Sequence, residues 1–293
     1  MIDIYETVTN QIITALEAGV KAGDYITPWN SAGECGSPVN ASTGKPYRGV
    51  NVLALWAAAH AAAYPSAVWA TYKQWQELGA QVRKGERSST IVFWKQITAA
   101  ETAEDGTETE GRVRMMAKAY AVFNAAQVDG YTAAAPVAGT IADRDAAADA
   151  YFAGIGANVV HGGGRACYVP SRDLVMMPDF AAFTEAAGYY SVLAHELTHW
   201  SGAKHRLDRD LTGRFGDEAY AGEELVAELG AAFTCAGLGL NLEPRRDHAP
   251  YVASWLRVLK NDKRAIFTAA AKAQQATDYL NGLACAPALA VAA

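Results

Sequence analysis

His195-Glu196-Leu197-Thr198-His199 is the stretch on which the reading of this chain turns. Two histidines four residues apart project from one face of a helix, one turn above the other. Neutral imidazoles suit Zn²⁺, so a helix here supplies two corners of a tetrahedral site. Glu196 points to the side, where its carboxylate can take a proton from a water whose pKa the metal lowers from about 15.7 to about 7. Tyr189, Tyr190, Val192, Leu193, Ala194, Leu197 and Trp200 surround the motif with apolar mass, and Ser201-Gly202 supplies a stop signal. Four of the six histidines lie outside the motif, so histidine is too scarce for the spacing to be incidental.

Two residues compete for the third ligand position. His205 completes the pattern His195-Glu196-x-x-His199-x-x-Gly202-x-x-His205 of metzincins, which also requires a methionine turn downstream. All five methionines (Met1, Met115, Met116, Met176, Met177) lie upstream, so that second signature is missing. The run Glu223-Glu224-Leu225-Val226-Ala227-Glu228-Leu229-Gly230-Ala231-Ala232-Phe233 has helical apolar spacing, with Glu224 and Glu228 on one face. It resembles the second metal helix of gluzincins, which implies Glu224 as a zinc ligand. The same likeness implies that Glu228 accepts the free ring N–H of His195 or His199. Other divalent transition metals also suit this donor set. Ligand number carries functional weight: three protein ligands leave a position open for catalysis, whereas a fourth from His205 would close the site.

At 293 residues, 51% hydrophobic and 19% charged, the chain suits one large or two modest globular domains. No apolar run reaches transmembrane length. The N-terminus, Met1-Ile2-Asp3-Ile4-Tyr5-Glu6, lacks the basic region of a signal peptide. Cys35, Cys167, Cys235 and Cys285 are widely spaced without a CxxC, as expected for reduced thiols in a cytoplasmic protein with no membrane partner.

A stretch of small residues over 131–150 reads as a linker between an N-terminal domain, 1–130, and a metal domain, 151–293. Residues 99–111 carry five acidic residues and no base, between the strand-like runs 90–94 and 117–123, which predicts a long hairpin loop. Residues 167–169 and 173–177 read as two strands around Pro170-Ser171-Arg172, offering an edge that pairs with an extended substrate. Residues 251–280 read as helix closing the core, with Lys260, Lys263, Arg264 and Lys272 on a solvated face.

The N-terminal half has a different character. The chain as a whole carries −6, yet residues 36–98 hold seven basic residues against Glu77 and Glu86, a net of 7 − 2 = +5. Tyr47, Trp56, Tyr64, Trp69, Tyr72, Trp75, Phe93 and Trp94 are interleaved with them. Cations that track phosphates and rings that stack on bases make a single-stranded nucleic-acid surface. On this reading Lys45, Tyr47, Arg48, Trp69, Tyr72, Lys73, Arg83 and Lys84 meet the strand, and Asn51 and Gln74 contact base edges. The competing reading makes the same aromatics core residues.

Specific stretches add a resemblance. Asn40-Ala41-Ser42-Thr43-Gly44-Lys45-Pro46-Tyr47-Arg48-Gly49-Val50-Asn51, Trp69-Ala70-Thr71-Tyr72-Lys73-Gln74 and Leu78 through Arg87 resemble the N-terminal domain of ArdC-type antirestriction proteins. His195 through Gly202, Arg206-Leu207-Asp208-Arg209 and Glu223 through Glu228 are similar to the same family's C-terminal half. The resemblance implies an α+β protein, with an N-terminal domain that binds single-stranded DNA followed by a zincin-like, gluzincin-type metallopeptidase domain. It further implies Zn²⁺ held by His195, His199 and Glu224, with Glu196 as general base. The implied role is protection of incoming plasmid DNA from restriction during conjugation. The protein substrate would be a restriction subunit or a DNA-attached protein. Two alternatives stay open: a DNA-binding module whose metal site is vestigial or structural, and a peptidase whose N-terminal domain docks a protein partner.

Overall fold

The computed structural model describes residues 3–23, 25, 27–29, 36–98, 101–102, 108–109, 113–132, 141–211, 218–240 and 249–285. The N-terminal half begins with α1 (Ile4–Ala22), followed by β1 (Val39–Asn40), α2 (Val50–Ala62), β2 (Val68–Ala70), α3 (Tyr72–Glu77) and β3 (Gln81–Val82). It continues through β4 (Ser89–Thr98), β5 (Glu101–Thr102), β6 (Glu108–Thr109), β7 (Val113–Asn124) and β8 (Val128–Asp129). The C-terminal half comprises α4 (Ile141–Ile155), β9 (Val159–His161), β10 (Cys167–Val169), β11 (Leu174–Met177), α5 (Ala186–Ser201), α6 (Glu218–Leu238), α7 (Ala249–Asn261) and α8 (Ala265–Ala284). The architecture is α+β, as expected.

In the N-terminal half, strands β1, β2, β7 and β4 form one sheet in that order. Its long ladder is antiparallel β4–β7, paired from Ser89↔Val122 to Thr98↔Val113. Both strands run longer than their apolar cores predict. Within the acidic connection Glu101–Thr102 pairs with Glu108–Thr109; residues 103–107 of that loop lie outside the described residues. Helix α2 (Val-Asn-Val-Leu-Ala-Leu-Trp) is apolar on nearly every side and accordingly buried. Gly49 precedes it at φ 56°, ψ −134°, a conformation open essentially to glycine.

The two halves share a core. One cluster runs from Val8, Ile12 and Leu16 of α1 and Leu53 and Trp56 of α2 to Leu197, Leu229, Ala270 and Leu280. Helix α1 is capped by Asp3, whose Oδ1 accepts from the N–H groups of Tyr5 and Glu6 at 3.0 and 3.3 Å. It is tied to the C-terminal helices by Thr9 Oγ1 donating to Lys263 O at 2.7 Å and by the pairs Lys260–Glu17 (2.6 Å) and Lys263–Asp3 (2.5 Å). Two of the lysines read as a solvated face therefore staple the two ends of the chain. The stretch read as linker is helical from Ile141, because alanine, its commonest residue, is the strongest helix former.

Helix α8 is central rather than peripheral. Ala269, Ala270, Ala273 and Ala276 line its buried side, and such small residues let neighbouring helices approach closely. The same device sets the crossing of α5 and α6: a Cβ on Gly230 would lie 2.6 Å from the Thr198 side chain. That crossing brings the motif helix face to face with the Glu-rich helix. Beside α5 a small sheet runs β10-β11-β9, with β10 antiparallel to β11 and at an edge. Among the described residues no helix is long and apolar enough to cross a membrane.

Candidate metal centre

His195 and Glu196 are buried on α5, and His199 is nearly so. Because α6 crosses α5 closely at Gly230, Glu224 faces both imidazoles. Its Oε2 lies 3.6 Å from His195 Nε2 and its Oε1 lies 3.4 Å from His199 Nε2. One ligand atom from each of the three residues falls within 4.8 Å of the others. Two imidazole nitrogens and a carboxylate oxygen at this spacing are the donor set of an open divalent-metal site.

The outer ring nitrogens face carboxylates of α6. His195 Nδ1 lies 3.5 Å from Glu228 Oε2, a long contact that falls short of hydrogen-bond geometry. His199 Nδ1 lies 3.3 Å from Glu223 Oε1. The sequence reading offered Glu228 for either histidine; the structure gives each imidazole its own carboxylate. Glu223 is in turn held by Arg209, whose Nη2 donates to its Oε1 at 2.9 Å. Arg209 also donates to Ser201 Oγ and Thr198 O at the end of α5. A tight turn returns the chain to this position, with Asp208 at φ 48°. Glu223 and Arg209 were missed as positioning residues, although both sit within stretches the family resemblance uses.

Electrostatics favour a cation here. Glu196, Glu223, Glu224 and Glu228 converge on the site, and Arg209 is the guanidinium among them. Burial works to lower the His199 pKa, but the hydrogen bonds and charges of Glu223 and Glu224 overcome it and raise the group to about 10. His195 is raised in the same way by Glu224 and Glu228 against its own burial. Burial would raise Glu224, yet the two histidines hold it well below the usual carboxylate range. In the absence of metal, protons on the imidazoles balance the acidic ring, so a divalent cation would displace them.

The centre opens into a cleft of about 670 Å³ lined by β10, α5 and α6, with Tyr220 and Tyr251 at one side. Glu196 Oε2 accepts from the backbone N–H of Tyr168 at 2.8 Å, which places an edge-strand amide directly at the site. His205 is 64% exposed at its side chain and pairs with Asp173 at 3.4 Å, outside the cluster. Arg206 holds the same Asp173 at 2.6 Å and lies over the Trp200 ring at 3.6 Å, fixing the β10–β11 turn to the end of α5.

The ten residues expected at a nucleic-acid surface stand in different settings. Trp69 is 1% exposed and packs with Leu55, Ile91 and Val122, so no base can stack on it. Asn51 brackets Val92, accepting from its N–H at 2.7 Å and donating to its C=O at 2.8 Å; these bonds join α2 to β4. Gln74 closes the capping box of α3 with Thr71, and half-buried Tyr47 accepts from Asn40 Nδ2 at 3.1 Å. Trp69 is thus a core residue, while Asn51, Gln74 and Tyr47, all partly buried, also serve the fold. Arg48 is ion-paired with Asp278 of α8. Tyr72, Arg83 and Lys84 line a shallow groove of about 560 Å³, where Arg83 is paired with Glu86 at 2.9 Å. Lys45 and Lys73 are exposed, Lys73 beside Glu77 at 3.6 Å.

Two family models and several known proteins match the chain. Residues 2–123 match the N-terminal domain of anti-restriction factor ArdC, and residues 146–272 match a zincin-like metallopeptidase family. The uncharacterized protein y4eC of Sinorhizobium fredii is 54% identical over 283 residues, spanning 95% of this chain and 92% of that protein. A DNA primase TraC of Escherichia coli is 34% identical over 94% of this chain, which spans only 20% of the primase. Crystal structures of the antirestriction ArdC protein from the R388 plasmid, metal-free and Mn(II)-bound, superpose with TM-scores of 0.79 and 0.76. Each is 43% identical, covering 97% of this chain and 98% or 99% of theirs.

Proposed function

The chain belongs to the ArdC antirestriction family, and from that premise we propose that it binds single-stranded DNA through its N-terminal half and hydrolyses a protein at a zinc centre in its C-terminal half. Its role is to protect incoming plasmid DNA from restriction during conjugation, in the cytoplasm of the recipient. The observation that carries the enzymatic part is the open ligand set. His195, His199 and Glu224 converge while His205 stays with Asp173, so three protein ligands would leave one position for chemistry.

When bound, zinc supplies Lewis acidity toward a peptide carbonyl and lowers the pKa of water toward neutrality. Glu196 then serves as the general base, its carboxylate held at the mouth of the cleft by the Tyr168 N–H. The free edge of β10 receives the substrate backbone as an added strand, which orients the scissile bond across the cleft. Glu223 fixes the ring orientation of His199, Arg209 fixes Glu223, and Glu228 stands 3.5 Å from the outer nitrogen of His195. In the N-terminal half, exposed Lys45, Lys73 and Lys84 and the ring of Tyr72 are members of the predicted set that remain available to a strand.

The test uses the full chain. Fluorescently labelled single-stranded and duplex oligonucleotides are titrated across a salt series, and a chelator-treated sample is titrated with Zn²⁺. Single-strand preference, affinity falling with salt and one tight zinc per chain are expected. Equal, salt-independent affinity for both DNA forms, or no tight zinc, would overturn the reading.

A further inference from the structure

Resting on the single-strand reading above, we infer that the DNA path crosses the outer face of the β4–β7 ladder, through Phe93, Tyr120, Lys95 and Lys118. The register decides which side chains share that face. Ile91 pairs with Tyr120, Phe93 with Lys118 and Lys95 with Met116, so all six project from one side of the sheet. At the base of the ladder this side is core: Ile91 and Val122 pack with Leu55 and Trp69. Two residues further out nothing among the described residues covers it. Phe93 is 63% exposed, Met116 47% and Tyr120 39%.

The opposite side of the same strands is packed at its base, although Trp94 keeps 39% of its surface exposed and Met115, further out, 59%. Val92 is in the main core, and Trp94 stacks obliquely on Tyr5 at 5.8 Å and meets Phe267 edge-on at 6.5 Å. One face of the ladder thus meets α1 and α8 through Trp94, and the other carries the ring pair Phe93 and Tyr120 into solvent. An exposed apolar face of this kind marks an interaction surface.

Its chemistry fits one occupant. Phe93 and Tyr120 stand at 6.1 Å in an edge-to-face pair, which leaves ring surface of both residues open to a base. Lys118 Nζ lies 5.1 Å from the Tyr120 centroid and Lys95 stands exposed on the same face, supplying cations beside the rings. Neither 89–98 nor 113–124 contains an aspartate or glutamate, although the chain is acidic and the connection between the two strands carries five such residues. Aromatic faces flanked by lysines and free of carboxylates match a polyanion with stackable bases, in which the bases are unpaired. A duplex hides those base faces, so the surface selects single strands.

The experiment measures binding of labelled oligo-dT to the full chain, in the wild type, Phe93→Ala/Tyr120→Ala and Lys95→Gln/Lys118→Gln. Thermal melts check that the variants, all at exposed positions, remain folded. Loss of both rings should weaken binding about tenfold or more. Loss of both lysines should reduce the slope of log affinity against log salt by about 1.4. Photocrosslinking with 5-iododeoxyuridine should label the peptides bearing Phe93 or Tyr120. Wild-type binding with both variants unchanged, or crosslinks confined to the Tyr72 groove, would overturn this path and leave the single-strand reading intact. Failure of the wild type to bind would overturn both.

Discussion

At the metal centre the carboxylates are set by neighbours: Glu223 by His199 and Arg209, Glu196 by the Tyr168 amide, and Glu228 stands 3.5 Å from His195. On the β4–β7 face, by contrast, Phe93, Tyr120, Lys95 and Lys118 stand in solvent, placed only by backbone register. The first arrangement preorganises a few atoms for one geometry. The second offers ring faces and charges that accept many sequences, because stacking makes no demand on base identity. A difference in rigidity follows: substitutions at the centre should propagate through the core, whereas those on the ladder should change binding alone.

The sharpest way to break this contrast is at the ligand itself. Glu224→Ala should abolish tight zinc binding in a chelator competition. Glu223→Gln, which touches no metal, should still weaken it by about 10- to 100-fold through a released His199. Equal affinities for wild type and Glu223→Gln would show that the outer carboxylate ring is incidental. Trp69→Ala probes the other region: it should cost about 3–5 kcal/mol in chemical denaturation while the folded fraction keeps its DNA affinity. Loss of DNA affinity without loss of stability would return Trp69 to the binding surface.

Smaller effects sharpen the picture. Gly230→Ala places a methyl group against Thr198 and should destabilise by about 1–3 kcal/mol while loosening zinc, since the α5–α6 crossing sets both. The pH dependence is subtler. In the metal-free protein the raised His199 pKa contributes stability that is complete below about 6.5 and is lost as pH rises through about 10. The depressed Glu223 and Glu224 contribute stability that is lost as pH falls below their ordinary range. Zinc needs the neutral imidazole, so the melting-temperature increment it confers should grow between pH 6 and pH 9. A constant increment would show that protons and metal do not compete there.

The motif helix was legible because its chemistry is written in spacing: residues four apart must share a helix face, and that face carried the histidines. Glu224 followed from a likeness of the second helix, whereas Glu223 and Arg209 depend on how α6 and the 202–209 turn approach α5. The N-terminal surface was read less well for a physical reason. Aromatic density cannot tell a ring that fills a core from one that faces water. Trp69 and Phe93 look alike in composition, and only sheet register and the position of α2 separate them. The same holds for intrinsic fluorescence: six of the seven tryptophans are buried, and Trp94 lies on the packed side of the ladder. Labelled DNA is therefore the better probe. The alternation Phe93-x-Lys95 and Met116-x-Lys118-x-Tyr120 was the available signal. The second half of the stretch read as linker, from Ile141, is helical because alanine-rich sequence serves both as spacer and as helix.

The central claim, that a peptidase and a DNA-binding surface act together in antirestriction, is tested most directly by plasmid transfer into a restricting recipient. Wild-type protein is compared with Glu196→Gln, alongside the DNA affinity of each. The account predicts that Glu196→Gln binds single-stranded DNA as well as the wild type and gives no protection. Full protection by Glu196→Gln would contradict it and reduce the protein's role to DNA binding.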